Sequence, residues 1–190
     1  MSDWVFGYAS LVALPDAAPA TLRGWRRVWG VAMDNSIAVP GYKVYERPDG
    51  ARPACAVAFL DLERDGAGGS GEADAVEVDG ALIAAGPEAL ERLDARERQY
   101  RRVEVTDALA DAPPAGDRVW TYVGRGPGRA RVAAGRAGDA TVVIQRAYAE
   151  RVERAFAARG ADALARYRAS TESPPFPVVE LARVDLPPTA

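Results

Sequence analysis

The strongest constraint on the fold is a succession of short β-branched and aromatic runs separated by Gly-, Pro- and Asp-rich loops. Residues 4–8 (WVFGY), 25–33 (WRRVWGVAM), 54–62 (ACAVAFLDL), 75–84 (AVEVDGALIA), 101–105 (RRVEV), 118–123 (RVWTYV) and 178–186 (VVELARVDL) read as strands. Most alternate partly with period 2, as half-buried strands do. Loops such as 46–53 (ERPDGARP) and 65–71 (DGAGGSG) punctuate them. Two segments carry a helical pattern. One begins at Pro87, a favoured first-turn residue, and runs through EALERLDARER. The other covers 141–159 (TVVIQRAYAERVERAFAAR), stops at Gly160 and is followed by a turn or two over 162–168. The proline-rich SPPFP is a loop or extended arm. Many strands, few helices, no internal repeat and no second core predict an α+β fold: a small mixed, barrel-like β-sheet with a few flanking helices. It is expected to form one domain over 1–190, with 171–190 as a C-terminal arm ending in a strand.

Composition then limits the chemistry. The 190 residues suffice for one core, and the net charge of −3 offers no general attraction for nucleic acid or anionic membrane. No apolar run reaches the roughly 20 residues of a spanning helix, and no secretory signal is evident. One cysteine, Cys55, precludes an internal disulfide framework and fits a reducing cytoplasm. The chain has no histidine, which excludes Ser-His-Asp and Cys-His catalysis and histidine-ligated zinc. Lys43 is the only lysine and lies in a loop-like stretch, GYKVYERPDG. Catalysis by this chain would draw on carboxylates, tyrosines, hydroxyls and backbone N–H groups.

Three motifs favour plain readings. GAGGSG at 66–71 matches G-x-G-x-x-G, but polar residues precede it and a strand-like alternation follows, so a hairpin loop is expected rather than a dinucleotide site. The arginines of RGWRR (23–27) and GRGPGRARVAAGR (124–136) read as a solvated surface, the second as a loop; phosphate or RNA binding is the alternative. Glu72, Asp74, Glu77 and Asp79 lack calcium-loop spacing and read as a solvated strand face, so no metal is expected.

The stretch LERLDARERQY is less ordinary. Leu90, Leu93 and Glu97 are spaced i, i+3, i+7 and share one helix face, with Asp94 on its border. That face carries the helix's large apolar residues and is therefore the buried one. A glutamate in the next slot has two readings. It ends the helix paired with Arg101 or another arginine, or it is a carboxylate in an apolar pocket. In the second case desolvation raises its pKa toward the range suited to taking and returning a proton.

Tyr8-Ala9-Ser10-Leu11 after the first strand, together with Leu93-Asp94, Glu97 and Tyr100 leading into RRVEV, resembles the γ-glutamylcyclotransferase-like family. That family has a Tyr-Gly-Ser-(Leu/Asn) loop after its first strand and a later glutamate in a leucine-aspartate-x-x-glutamate context. LRGWRR at 22–27 and VWTYVG at 119–124 also resemble its second strand entry and a late strand, so the resemblance spans about residues 3–125. It implies an α+β, γ-glutamylcyclotransferase-like fold and cleavage of small γ-glutamyl amides or peptides into 5-oxoproline and a free amine, without cofactor. By the same resemblance Glu97 is the general acid/base, and Tyr8, Ala9, Ser10 and Leu11 bind the γ-glutamyl end, with Tyr100 and Tyr122 as further pocket members. The family's loop glycine is Ala9 here, which a negative φ would accommodate and a positive φ would not.

The composition is compatible with that reaction. The substrate's own α-amine attacks its own γ-carbonyl, so no serine, cysteine or histidine nucleophile is needed. Ring closure can exploit effective molarities of about 10⁵–10⁸ M. Two other classes stay open: a non-catalytic binding module, in which Glu97 is locked to an arginine, and an interaction domain using the 124–136 arginines. The expected partner is a small γ-glutamyl molecule, with neither nucleic acid nor membrane; oligomeric state is left open.

Overall fold

A computed structural model describes residues 2–65, 76–111, 113 and 116–188. The motif at 66–71 and the acidic residues Glu72 and Asp74 lie outside them. The first strand, β1 (Asp3–Gly7), forms where expected. It is followed by a 3-10 turn over Ser10–Ala13 and by β2 (Ala18–Arg23), a strand not among those expected, which carries Pro19. β2 is an edge strand pairing only with β6 (Glu77–Ala84), where a residue without an N–H is tolerated. Helix α1 (Pro87–Arg96) then leads to β7 (Tyr100–Glu104) and β8 (Arg118–Gly124). These strands form a five-stranded sheet in the order β2-β6-β1-β8-β7, with β1 parallel to β8 and the other pairs antiparallel.

β1 therefore lies inside the sheet, and Val5 and Phe6 are buried. Its end is unusually crowded. A Cβ on Gly80 would lie 2.5 Å from the Gly7 carbonyl oxygen, so only glycine lets β6 approach here.

A second, four-stranded sheet runs β10-β9-β5-β3. β3 (Trp25–Asp34) and β5 (Ala56–Arg64) pair antiparallel with an irregularity between Val28 and Val31. β9 (Val142–Gln145) and β10 (Val178–Val179) add in parallel. A two-stranded ribbon joins β4 (Lys43–Glu46) to β11 (Ala182–Asp185). Edge strand β2 makes one isolated bridge, Leu22 to Leu109 in the segment after β7, but among the described residues no ladder joins β2 to β7. The expected barrel-like sheet is thus three sheets, with no closed barrel among the described residues.

Asp61 ties the sheets together. It is fully buried on β5 and accepts the Gly124 N–H at the end of β8 (2.7 Å) and Arg129 Nε from α2 (Gly126–Ala137) at 2.9 Å. Burial pushes its pKa up, against these donors.

Helix α2 corrects the expected loop at 124–136. Its glycines serve close packing rather than flexibility: a Cβ on Gly128 would meet Val31 Cγ2 at 2.5 Å, and one on Gly135 would meet Val142 Cγ2 at 2.3 Å. Its arginines are turned to internal acceptors. Arg129 also donates to the Leu62 carbonyl, Arg131 to that of Ala32, and Arg136 to the Glu172 carboxylate.

The expected helix at 141–159 also divides. Its β-branched start is β9, and only Arg146–Ala157 is helical (α3). The turn or two expected over 162–168 is a longer helix, α4 (Ala161–Ala169), and the expected strand at 178–186 splits into β10 and β11. Phe156 of α3 stacks on Tyr167 of α4 at 4.5 Å between ring centroids, over a core that includes Phe6, Leu22, Trp29, Leu60 and Ile144. Glu77 and Asp79 point to β2 and α4, pairing with Arg23 and Arg166 respectively. Among the described residues, no helix is long and apolar enough to cross a membrane.

Candidate active site

A cavity of about 400 Å³ opens where the end of β1, the end of α1 and the β4–β11 ribbon converge. Tyr8, Ala9, Ser10, Leu11, Glu97, Tyr100 and Tyr122 all line it. The structure thus brings every residue of the expected site to one place.

The first wall is the turn after β1. Tyr8 is buried, and its hydroxyl donates to the Tyr122 carbonyl at 2.7 Å. Its own carbonyl accepts Arg27 Nε at 2.8 Å. A trans peptide points its C=O and N–H in opposite directions, so the Ala9 N–H faces away from Arg27. Ala9 has φ −136°, and no residue other than glycine has positive φ among those described. The φ of this turn therefore does not call for glycine. The Ala9 carbonyl accepts the Val12 N–H at 3.1 Å, whereas the N–H groups of Ala9, Ser10 and Leu11 donate to no protein acceptor among the described residues. Successive unpaired donors on a cavity wall suit an anionic or carbonyl oxygen.

The second wall is Glu97. Leu90 is buried and Leu93 half-buried against Val5 and Tyr122, as the stripe requires. The helix stops at Arg96, and Glu97 follows as its cap with φ −86° and ψ 51°. Its N–H donates to the Leu93 carbonyl, and its carbonyl accepts the Tyr100 N–H, both at 2.8 Å. This turn ends the helix early and aims the side chain at the cavity. The Glu97 side chain is 20% exposed, and Arg96 Nε lies 3.2 Å from its carboxylate. Burial pushes the carboxyl pKa up, while Arg96 and then Lys43 oppose the shift. Both readings of Glu97 hold in part: it is a desolvated pocket carboxylate, and its arginine partner is Arg96 rather than Arg101.

Tyr100 and Tyr122 spend their hydroxyls on the protein. Tyr100 donates to the Leu60 carbonyl at 2.9 Å, and Tyr122 to Asp94 at 2.7 Å. Burial pushes both hydroxyls to higher pKa, so they present neutral rings to the cavity.

The third wall is one the sequence reading missed. Lys43 sits on β4 rather than in a loop, and its Nζ lies 4.6 Å from the Phe59 ring centroid, 5.4 Å from Tyr42 and 5.9 Å from Tyr45. Burial brings its pKa down to about 8, helped by Arg183 and opposed by Glu97. The available signals were the solitary lysine and the short alternation KVYE. Arg183 and Asp185 of β11 and Arg151 of α3 also line this wall. Among the described residues, no cluster of Cys, Asp and Glu could hold a metal ion.

No family model matches the sequence, and no curated protein is similar to it in sequence. Among solved structures, the crystal structure of the yeast γ-glutamyl cyclotransferase specific to glutathione aligns with a TM-score of 0.53 at 16% identity. The alignment covers 90% of this chain and 98% of that one. The two chains share an α+β fold.

Proposed function

We propose that this chain is a γ-glutamyl cyclotransferase. The observation that carries the reading is the convergence, on one cavity, of the desolvated Glu97 carboxylate and the unpartnered N–H groups of Ala9, Ser10 and Leu11. A substrate's γ-glutamyl end lies along the 9–11 turn, whose donors hold its oxygens. Its α-amine attacks its γ-carbonyl, forming the new C–N bond of the five-membered ring. Glu97 takes the proton from the attacking nitrogen and delivers it to the departing nitrogen as the scissile C–N bond breaks. The products are 5-oxoproline and a free amine. A carboxyl group whose pKa is raised by burial suits a residue that first accepts and then donates. Fold likeness to a cyclotransferase supports the same reading.

One observation favours a second reading, a binding module without turnover: the Glu97–Arg96 ion pair at 3.2 Å. Arg96 is 56% exposed, so the pair is screened by solvent and holds the carboxylate only weakly. The test is incubation with a panel of γ-glutamyl amino acids, peptides (glutathione included) and amines, with 5-oxoproline as the readout. Cyclotransferase activity requires release by the wild type and loss in Glu97→Gln. Ligand-induced stabilisation without 5-oxoproline would establish the binding module instead.

A further inference from the structure

Resting on the cyclotransferase reading, we infer that Lys43 is a specificity-determining residue that binds a carboxylate carried by the leaving amine. The favoured substrates are then γ-glutamyl amino acids or peptides with a free carboxylate, rather than γ-glutamyl alkylamines.

The argument starts from charge. The chain as a whole is acidic, with a formal net charge of −3. Its cavity is not: Lys43, Arg96, Arg151 and Arg183 line it against only two carboxylates, Glu97 and Asp185. Arg96 is paired with Glu97, and Arg183 with Asp185 at 2.6 Å. Lys43 and Arg151 form no ion pair among the described residues. A site with surplus cations is built for a ligand with surplus carboxylate.

Lys43 is the more telling of the two. Its ammonium is desolvated and faces aromatic rings instead of acceptors: Phe59, Tyr42 and Tyr45 surround it, and it makes no hydrogen bond among the described residues. Cation–π contact offsets part of the desolvation but leaves its three N–H donors unused. Among the described residues no fully enclosed polar side-chain atom lacks a partner, so Nζ keeps access to the cavity. A ligand carboxylate arriving there would complete an ion pair in a poorly solvated place, where such pairs are strongest.

Position decides which part of the ligand this is. The γ-glutamyl end is held by the backbone donors of the 9–11 turn, on the first sheet. Lys43 belongs to the separate β4–β11 ribbon, yet lies near enough to Glu97 for each charge to bias the other's pKa. The departing nitrogen must also be within reach of Glu97. The group attached to that nitrogen therefore extends toward Lys43 and Arg151.

The experiment compares each γ-glutamyl amino acid or peptide with the analogue whose terminal carboxylate is replaced by hydrogen, for example γ-glutamyl-alanine against γ-glutamyl-ethylamide. For wild type, kcat/KM should favour the carboxylate member by about 10- to 100-fold, the worth of one charged hydrogen bond. In Lys43→Met, which keeps the apolar stem, that ratio should fall toward one; Lys43→Arg should retain part of it. Circular dichroism checks folding, with Lys43→Gln as a second variant; if neither folds, the wild-type ratio decides. A wild-type ratio near one overturns the inference. So does an equal loss on both members in Lys43→Met, which would place Lys43 at the γ-glutamyl end. Absence of 5-oxoproline from every pair overturns the cyclotransferase reading itself, a distinct outcome.

Discussion

Arg27 Nε donates to the carbonyl of Tyr8 at 2.8 Å, and this one bond orients the peptide that begins the candidate γ-glutamyl loop. Arg27 is 1% exposed and has no carboxylate partner among the described residues. Its guanidinium lies beside the stacked rings of Phe156 (5.0 Å) and Tyr167 (4.9 Å), and it donates further to Ser170, Thr171 and the Asp79 carbonyl. Burial draws its pKa down to about 10, which still leaves it cationic at neutral pH. Arg27→Met should cost about 3–5 kcal/mol in urea unfolding, because several buried acceptors lose their donor at once. The protein that remains folded should show kcat/KM lowered by at least about tenfold, since the Tyr8–Ala9 peptide is then free to turn.

Glu97→Gln separates activity from stability. Loss of the acid/base should lower kcat by about 10²–10⁴-fold. Stability should move the other way. Burial raises the folded-state pKa of Glu97 above its ordinary value of 4.5, so the ionised form is a burden on the folded state. That burden is full above the folded pKa, shrinks as pH falls through it, and vanishes below 4.5. The Tm of Glu97→Gln should exceed that of wild type at neutral pH and converge with it in acid. Thermal melts across pH test both statements, and the acid limb of kcat/KM should lie above the usual carboxylate range.

The sequence made some of this arrangement legible and hid the rest for identifiable reasons. Val5 and Phe6 in β1 and the alternation of RVWTYV are local signals that buried strands carry in themselves. Glu97 could be found because its anomaly is also local: a charge in the next slot of an apolar helix stripe. Lys43 could not. β4 has only four residues, and its partner β11 is near the other end of the chain, so nothing nearby reveals that KVYE is a strand facing a cavity. Helix α2 was hidden by Gly126, Pro127 and Gly128, which locally signal a loop. Gly128 instead lets the helix backbone settle against Val31, a contact invisible before the fold is known.

Ala9 and Gly7 make opposite predictions only two residues apart. At Ala9 the negative φ admits either residue and no Cβ need be accommodated, so Ala9→Gly should keep kcat/KM within about threefold and change stability by no more than about 1 kcal/mol. At Gly7 an added Cβ would sit 2.6 Å from Leu11 Cβ. Gly7→Ala must therefore displace the turn, costing about 1–3 kcal/mol as overpacking does and lowering activity more than Ala9→Gly does. Denaturant midpoints and 5-oxoproline release on the two variants measure the contrast. Equal tolerance at both positions would show that the turn is not held as described.

The preference for a leaving-group carboxylate should itself depend on pH. Arg183 and Arg96 join burial in lowering the Lys43 pKa to about 8, while Glu97 and Asp185 oppose them, and Tyr42, Tyr45 and Phe59 complete its surroundings. The ammonium is present below that value and lost above it. Rising pH also frees the substrate's α-amine, which raises the rate for every substrate and obscures a simple profile. The ratio of kcat/KM between γ-glutamyl-alanine and γ-glutamyl-ethylamide cancels that common change. It should be high and flat below the Lys43 pKa, then decline as pH passes about 8. In Lys43→Arg, whose guanidinium stays charged, the decline should disappear. A ratio that is flat across this range in wild type would mean that the carboxylate is read by Arg151 or Arg183 alone.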